Sequence, residues 1–311
     1  MALDLTGLTA YTSENATELI SAAVLKGSTI DRISVQAGIK SAEKINYLAI
    51  DNTFQAGACG FNAVGNVDLT QRTIAVDKIK QNAAVCVDDL EAYYTQLMMK
   101  AGSYNEDMPF EQKYSELVVE GTQTYLENLV WRGDKDNSSL AADLQLANGL
   151  LKSIDAEGTV VSATTTSLVT ASNIIDRVDE MVDLIPTDAL LSDDLSLNMP
   201  LAHYRMYCRA LRNANLFHYT GDEKDDFSMV IPGVNVTVRG TKGLTGISVS
   251  DTRWILAEDS NLWVGTDLLN DAENFSIAYS QDNDEVRTIQ KFKFGTNISF
   301  PARIVELTTA A

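Results

Sequence analysis

Basic residues, histidine and cysteine are all in short supply in this chain, and each shortage excludes something. Its 311 residues hold 24 Lys and Arg against 43 Asp and Glu, a formal net charge of −19. A surface that grips nucleic acid needs clustered cations, so this balance argues against phosphate binding. It remains compatible with a protein that sits beside DNA without adhering to it. The three cysteines, Cys59, Cys86 and Cys208, are odd in number, far apart and outside any C-x-x-C spacing. That pattern excludes a disulfide framework and a cysteine zinc site, and the thiols are expected to serve as small apolar residues. No run approaches the roughly 18–20 apolar residues of a membrane-spanning helix. The opening MALDLTGLTAYTSENATELI has neither the basic start nor the apolar core of a secretion signal. The expectation is a protein of a reducing cytoplasm with no membrane partner.

Catalytic signatures are missing as well. There are two histidines. His203 falls on an amphipathic segment and reads as a packed or exposed helix residue rather than a general base, and His218 has no nucleophile or metal partner nearby in sequence. G-x-S-x-G, H-E-x-x-H and Walker A patterns do not occur. GTKGLTG (Gly240–Gly246) lacks the order of a phosphate loop and reads as a surface turn. The acidic runs Asp222–Asp226 and Asp282–Glu285 lack a calcium-loop arrangement and read as solvated loops. No catalytic residue, cofactor or metal is expected, and the chain is read as not an enzyme.

What is present is ordinary globular composition, 45% hydrophobic and 22% charged. Residues 13–26 suggest a short amphipathic helix capped by Ser13, followed by a small, polar, arm-like stretch. From Asn46 to Val85 the apolar period shifts towards two around QAGACGFNAVGNVDLTQ, whose Gly57, Gly60 and Gly65 suggest the tip of a long, open β-hairpin. VDDLEAYYTQLMMKAGS reads as a short helix. The strongest helical signal spans Pro109–Arg132, on the order of 36 Å long. Along it Phe110, Tyr114, Leu117, Val118, Gly121, Tyr125, Leu126 and Leu129 recur at three-to-four-residue spacing. Further helices are expected at Leu140–Lys152, Ser172–Ile185 and Pro200–Arg212. Strands follow: Val234, Val236 and Val238 alternate with polar residues. FSIAYS and VRTIQKFKF flank the turn QDNDE, and ISFPARIVEL is apolar enough to be buried.

Arg132-Gly133-Asp134, in ENLVWRGDKDN, is the tripeptide of cell-adhesion signals. Helix termination accounts for the same residues: Arg132 complements the negative end of the helix dipole, Gly133 suits a left-handed stop, and Asp134 becomes a turn residue. The helix stop is the reading taken.

Several stretches, in this order, resemble major capsid proteins of tailed bacteriophages with the Hong Kong 97-like fold. They are QAGACGF, TQRTIAVDKIKQNAAVCVDDLE, MKAGS, MPFEQ and LENLVWRGD, then NLWVGTDLLNDAENFSIAYSQDNDEVRTIQKFKFGTNISFPARIVEL. The likeness is closest to capsid proteins of Bacteroidota-infecting phages, including the crAss-like group. It implies an α+β fold with residues 1–45 as an N-terminal arm and 46–85 as an extended loop that lies across a neighbouring subunit. Residues 86–134 would form a peripheral domain with a spine helix at 109–132. Residues 135–262 would form an axial domain, 263–294 the peripheral β-hairpin, and 295–311 a final strand returning to the axial domain. The implied function is self-assembly, as hexamers and pentamers, into an icosahedral shell enclosing double-stranded DNA within the virion.

The resemblance also implies a separate scaffolding protein, a portal and minor capsid proteins as partners, and assembly in the bacterial cytoplasm. Gly57, Cys59, Gly60 and Phe61 at the loop tip become candidate inter-subunit contacts. So do Arg287, Lys291 and Lys293, which share one strand parity and therefore one sheet face. An encapsulin-like compartment would use the same fold for a different cargo, and an adhesin bearing the RGD tripeptide is the rival from another class.

Overall fold

Burial alternates along residues 285–298: Val286, Thr288, Gln290, Phe292 and Phe294 turn inward while Arg287 and Lys291 stay exposed. That period of two makes this segment the spine of a sheet. The computed structural model describes residues 24, 28–51, 54–57, 59–60, 66–86, 110–165, 167–214, 227–245, 252–267 and 275–309. In chain order the first elements are β1 (Ser34–Ala37), β2 (Ala42–Asp51), β3 (Asn66–Ala75), β4 (Asp77–Cys86), α1 (Phe110–Arg132), α2 (Leu150–Asp155) and β5 (Val161–Thr165). Next come α3 (Ile174–Leu184), α4 (Thr187–Leu190), β6 (Leu195–Pro200), α5 (Leu201–Asn213), β7 (Ser228–Val230) and β8 (Thr237–Thr241). The chain continues with β9 (Arg253–Glu258), β10 (Leu262–Thr266), β11 (Phe275–Ser280), β12 (Glu285–Ile298) and β13 (Val305–Thr309).

Two larger sheets organise these elements. One is five-stranded, ordered β1-β10-β12-β11, with β4 on the other edge of β12. The second is six-stranded, ordered β5-β13-β9-β6-β8-β7. The hairpin β2–β3 forms a separate two-stranded ribbon. Each larger sheet has its own apolar core. Leu126, Leu129, Val130 and Trp131 of α1 pack with Leu150, Ile154, Val264, Phe292 and Phe294 in the first. In the second, Ile174, Val178 and Met181 of α3 and Tyr204 and Tyr207 of α5 cover Leu197, Trp254, Leu256 and Leu307.

The expected hairpin is present but ends earlier than expected. β2 and β3 pair from Ala42↔Ala75 to Asp51↔Asn66, and β4 then leaves to pair with β12 from Asp77↔Phe294 to Cys86↔Glu285. A single ribbon over 46–85 is therefore corrected to a ribbon over 42–75 plus a strand of the five-stranded sheet. The change of direction rests on a glycine notch. A Cβ on Gly295 would lie 2.0 Å from the Ala75 carbonyl oxygen, and one on Gly265 would lie 2.6 Å from Ile74 Cγ2. Gly265 and Gly295 face each other across β10 and β12, so the ribbon base lies close on the sheet.

α1 agrees with its periodicity only in its second half. Leu117 and Gly121 are exposed, while Ser115, Thr122 and Glu127 are buried. The sheet opposite is polar there: Tyr114 Oη lies 2.9 Å from Thr288 Oγ1, and Thr122 Oγ1 lies 2.8 Å from Gln290 Oε1. A polar sheet face selects a polar helix face.

The helix expected at Leu140–Lys152 is confined to Leu150–Asp155. Long-range backbone bonds replace its first turns: Asp134 N–H donates to Leu144 O at 3.0 Å, and Gly149 N–H donates to Gly133 O at 2.7 Å. Gly133 is needed for this approach rather than for a left-handed conformation, because a Cβ there would sit 2.4 Å from the Ala147 carbonyl oxygen. Likewise GTKGLTG is no surface turn. Leu244 is fully buried, and a Cβ on Gly243 would meet the Glu127 carbonyl oxygen at 2.2 Å and Trp131 Cδ1 at 2.4 Å. The expected helices at 13–26 and in VDDLEAYYTQLMMKAGS lie outside the described residues, Val24 excepted.

The segment before β1 is clamped to α1. Thr29 N–H donates to Glu127 Oε2 at 3.1 Å, its hydroxyl donates to Glu127 Oε1, and Trp131 Nε1–H donates to Thr29 Oγ1 at 3.0 Å. All three side chains are buried. A carboxylate on a helix and a threonine in the preceding arm satisfy each other where water is excluded.

Candidate functional site

The histidine on α5 is a structural acceptor. Trp254 Nε1–H donates to His203 Nδ1 at 2.9 Å, and the two rings meet edge-on with centroids 5.7 Å apart. Burial lowers the His203 pKa from its ordinary value of 6.5. Its contribution to stability is therefore fully present above about pH 6.5 and lost as pH falls through the depressed folded value, when protonation removes the acceptor. Thermal melts between about pH 7.5 and 5 should show a decline that His203→Gln flattens; an unchanged slope would assign the decline to other groups. His218 and Asp222–Asp226 lie outside the described residues. Among the described residues no three His, Cys, Asp or Glu side chains gather as a metal-binding group, and no helix is long and apolar enough to cross a membrane.

The RGD tripeptide is tied to the chain's own residues, with Arg132 and Asp134 half-buried. Gly133 is buried, Arg132 donates from Nη1 to Thr245 O at 3.3 Å, and Asp134 accepts an ion pair from Lys152 at 3.0 Å. Asp134 also accepts from the Asp136 N–H at 3.0 Å, so it organises the loop that follows the helix and is more than a passing turn residue.

The ribbon presents the opposite picture. Its base is held by the chain's own residues: Arg72 makes a two-point pair with Glu157, and Asn297 Nδ2–H donates to Thr73 O at 2.8 Å. At the tip, Gly57, Cys59 and Gly60 are exposed, Gly60 has φ +110°, and Phe54 is 94% exposed. Phe61 lies outside the described residues. Cys208 is half-buried and packs against the second core as a small apolar residue, whereas Cys59 and Cys86 are exposed, which corrects that reading for these two.

The basic strand residues share one face of β12, as parity requires, but their partners divide them. Arg287 Nε–H donates to Glu285 Oε1 at 2.6 Å, and Lys293 donates to Asp267 Oδ2 at 2.5 Å and to Lys40 O at 3.0 Å. These two are internally paired. Lys291 is not given an acid by any described residue, and it faces Lys80 of β4, while Lys293 faces Lys78. Sequence reasoning missed Lys78 and Lys80. Alternation in DKIK puts them on one face, but nothing local places that face beside β12.

No protein-family model and no curated protein sequence matches the chain. Solved structures do. A chain of the satellite phage P4 procapsid aligns at TM-score 0.60 and 11% identity, covering 94% of this chain and 98% of that one. A capsid chain of a native GTA particle aligns at TM-score 0.57 and 12% identity over 94% and 91%. The capsid of Myoviridae phage XM1 aligns at 0.56 and 14% over 89% and 90%. The chain has the Hong Kong 97-like capsid fold. The coverage makes the likeness one of whole chains, both larger sheets included, rather than of a shared motif. At these identities side chains are free to differ, so the capsid fold fixes where elements lie and leaves the contacts of the ribbon tip and the lysine face to this chain's own residues.

Proposed function

We propose that this chain is a major capsid protein, a shell subunit of a tailed bacteriophage. The observation that carries the reading is the capsid fold over nearly the whole chain. The projecting ribbon with its exposed Phe54 supports it, since a subunit that must join neighbours needs a surface its own core does not use. In this reading residues 1–45 are the arm, the ribbon lies across the next subunit, α1 is the spine of a peripheral domain, and the six-stranded sheet belongs to the axial domain. Hexamers and pentamers close an icosahedral shell around packaged DNA, whose acidic wall limits adhesion. A separate scaffolding protein, a portal and minor capsid proteins complete the assembly in the host cytoplasm, and the product is part of the virion. The resemblance of QAGACGF, LENLVWRGD and the carboxyl-terminal block supports a place among capsid proteins of Bacteroidota-infecting phages.

Sedimentation and negative-stain microscopy of the chain isolated from infected cells, where its scaffolding protein is present, test the reading. Uniform polyhedral particles are the expected result, and monomers under every salt and concentration condition would overturn it. Shells loaded with a specific enzyme rather than DNA, in the native source, would replace it with the encapsulin-like alternative.

A further inference from the structure

The register of β4 against β12 places lysine opposite lysine twice in succession, Lys78↔Lys293 and Lys80↔Lys291. Opposed residues in an antiparallel pair have their Cβ atoms about 4.5–5.5 Å apart, and like charges there destabilise the pairing. Of the four ammonium groups, that of Lys293 is neutralised by Asp267. Lys80 Nζ lies 3.3 Å from the Asn82 side-chain amide, a neutral acceptor. Lys78 and Lys291 have no acid within ion-pair distance among the described residues, and Lys78, Lys80 and Lys291 are all exposed. The four lysines, Asp267 and the apolar Ile79 and Phe292 line a cleft of about 360 Å³.

We infer that the exposed face formed by Lys78, Lys80 and Lys291 is a docking surface for carboxylates of a second copy of this chain. The inference rests on the shell reading and deepens it by naming one contact. Charge complementarity favours a copy of the chain over nucleic acid. Each copy carries 43 acidic residues against 24 basic ones, and a net charge of −19 repels a polyanion. Exposed acids such as Asp176, Asp179 and Asp183 of α3 are of the kind this face would accept. A lysine block that costs the isolated subunit stability gains a counter-charge only when a neighbour arrives.

That trade gives the test an internal contrast. Neutralising the face with Lys78→Gln, Lys80→Gln and Lys291→Gln removes like-charge contacts within the sheet. The subunit's Tm should therefore stay level or rise by about 1–2 °C. Association measured by sedimentation should weaken about tenfold or more, and that of the unaltered chain should fall from about 50 to 500 mM NaCl as screening shortens. Assembling a mixture of isotopically light and heavy chains and treating it with a zero-length carbodiimide should join a peptide bearing Lys78, Lys80 or Lys291 to an acidic peptide of the other isotope. Association of the triple variant at the level of the unaltered chain, or links confined to one isotope, would overturn the inference and leave the shell reading standing. Loss of binding to a short fluorescent DNA duplex without loss of association would assign the face to nucleic acid instead. If the unaltered chain is monomeric throughout, both readings fall together.

Discussion

Replacing Asn52–Gly65 with an Asn-Gly dipeptide is expected to yield a folded subunit that does not close into stable shells. The cut is chosen from the register: Asp51↔Asn66 is the last pair of the ribbon among the described residues, so a two-residue turn can close it without shifting any pair below. The anchorage at Arg72, Thr73, Ile74 and Ala75 is left intact. Neither apolar core includes any of the described residues of the removed segment, 54–57, 59 and 60, and the subunit's own stability is expected to change by less than about 1 kcal/mol. Assembly should suffer far more. The replacement removes the exposed aromatic anchor Phe54 together with the exposed Gly57, Cys59 and Gly60. Because a closed shell repeats each contact many times, a modest loss per contact is multiplied. Circular dichroism and melting report the fold, and sedimentation with microscopy reports the shell. Shells of normal yield and stability would remove the ribbon tip from the inter-subunit contacts. An unfolded subunit would place the tip in the core.

Glu127→Ala is expected to lower subunit stability by about 2–4 kcal/mol. Glu127 is 4% exposed and accepts from both the amide and the hydroxyl of Thr29. Each hydrogen bond to a charged acceptor contributes roughly 1.5–3 kcal/mol, and truncation leaves two buried donors without partners unless water enters. The effect should concentrate on the arm. Arg32 follows within the same turn, donating from Nε to Ser28 O at 2.8 Å, so tryptic cleavage at Arg32 should accelerate before the rest of the chain is attacked. Trp131→Phe, which removes the indole donor to Thr29 and leaves a small cavity in the core but keeps Glu127, should cost about 1–3 kcal/mol and have a smaller effect on cleavage. Denaturant unfolding and timed proteolysis measure the two consequences separately. If Glu127→Ala unfolds at the same midpoint and resists trypsin equally, the arm is held by apolar packing alone.

Several elements were legible in the sequence because their partners are near or their burial is periodic. Alternation in FSIAYS and VRTIQKFKF around QDNDE described β11, its turn and β12. The apolar stripes of α3 and α5 marked both helices to within a residue or two, since in each the buried side is set by a single sheet beneath it. The parity of Arg287, Lys291 and Lys293 was a matter of backbone geometry and needed no tertiary information. The absence of recognisable catalytic patterns directed attention to shape, and the family resemblance supplied the fold that the aligned structures share.

Other features depended on which distant segments the fold brings together. Thr29 and Glu127 are 98 residues apart, and neither carries a local sign of the other. The stretch 140–149 has helical periodicity, yet bonds from Asp134 and Gly149 to distant carbonyls outweigh the marginal stability of a short isolated helix. β4 reads as the second half of a hairpin until β12 offers it a ladder of its own and the glycine notch of Gly265 and Gly295 lets the chain turn away. The opposition of Lys78 and Lys80 to Lys293 and Lys291 follows from that ladder's register. A sequence specifies the face on which a strand residue lies because the period is local. Which charge stands across from it is decided by a long-range register that forms only when the sheet does.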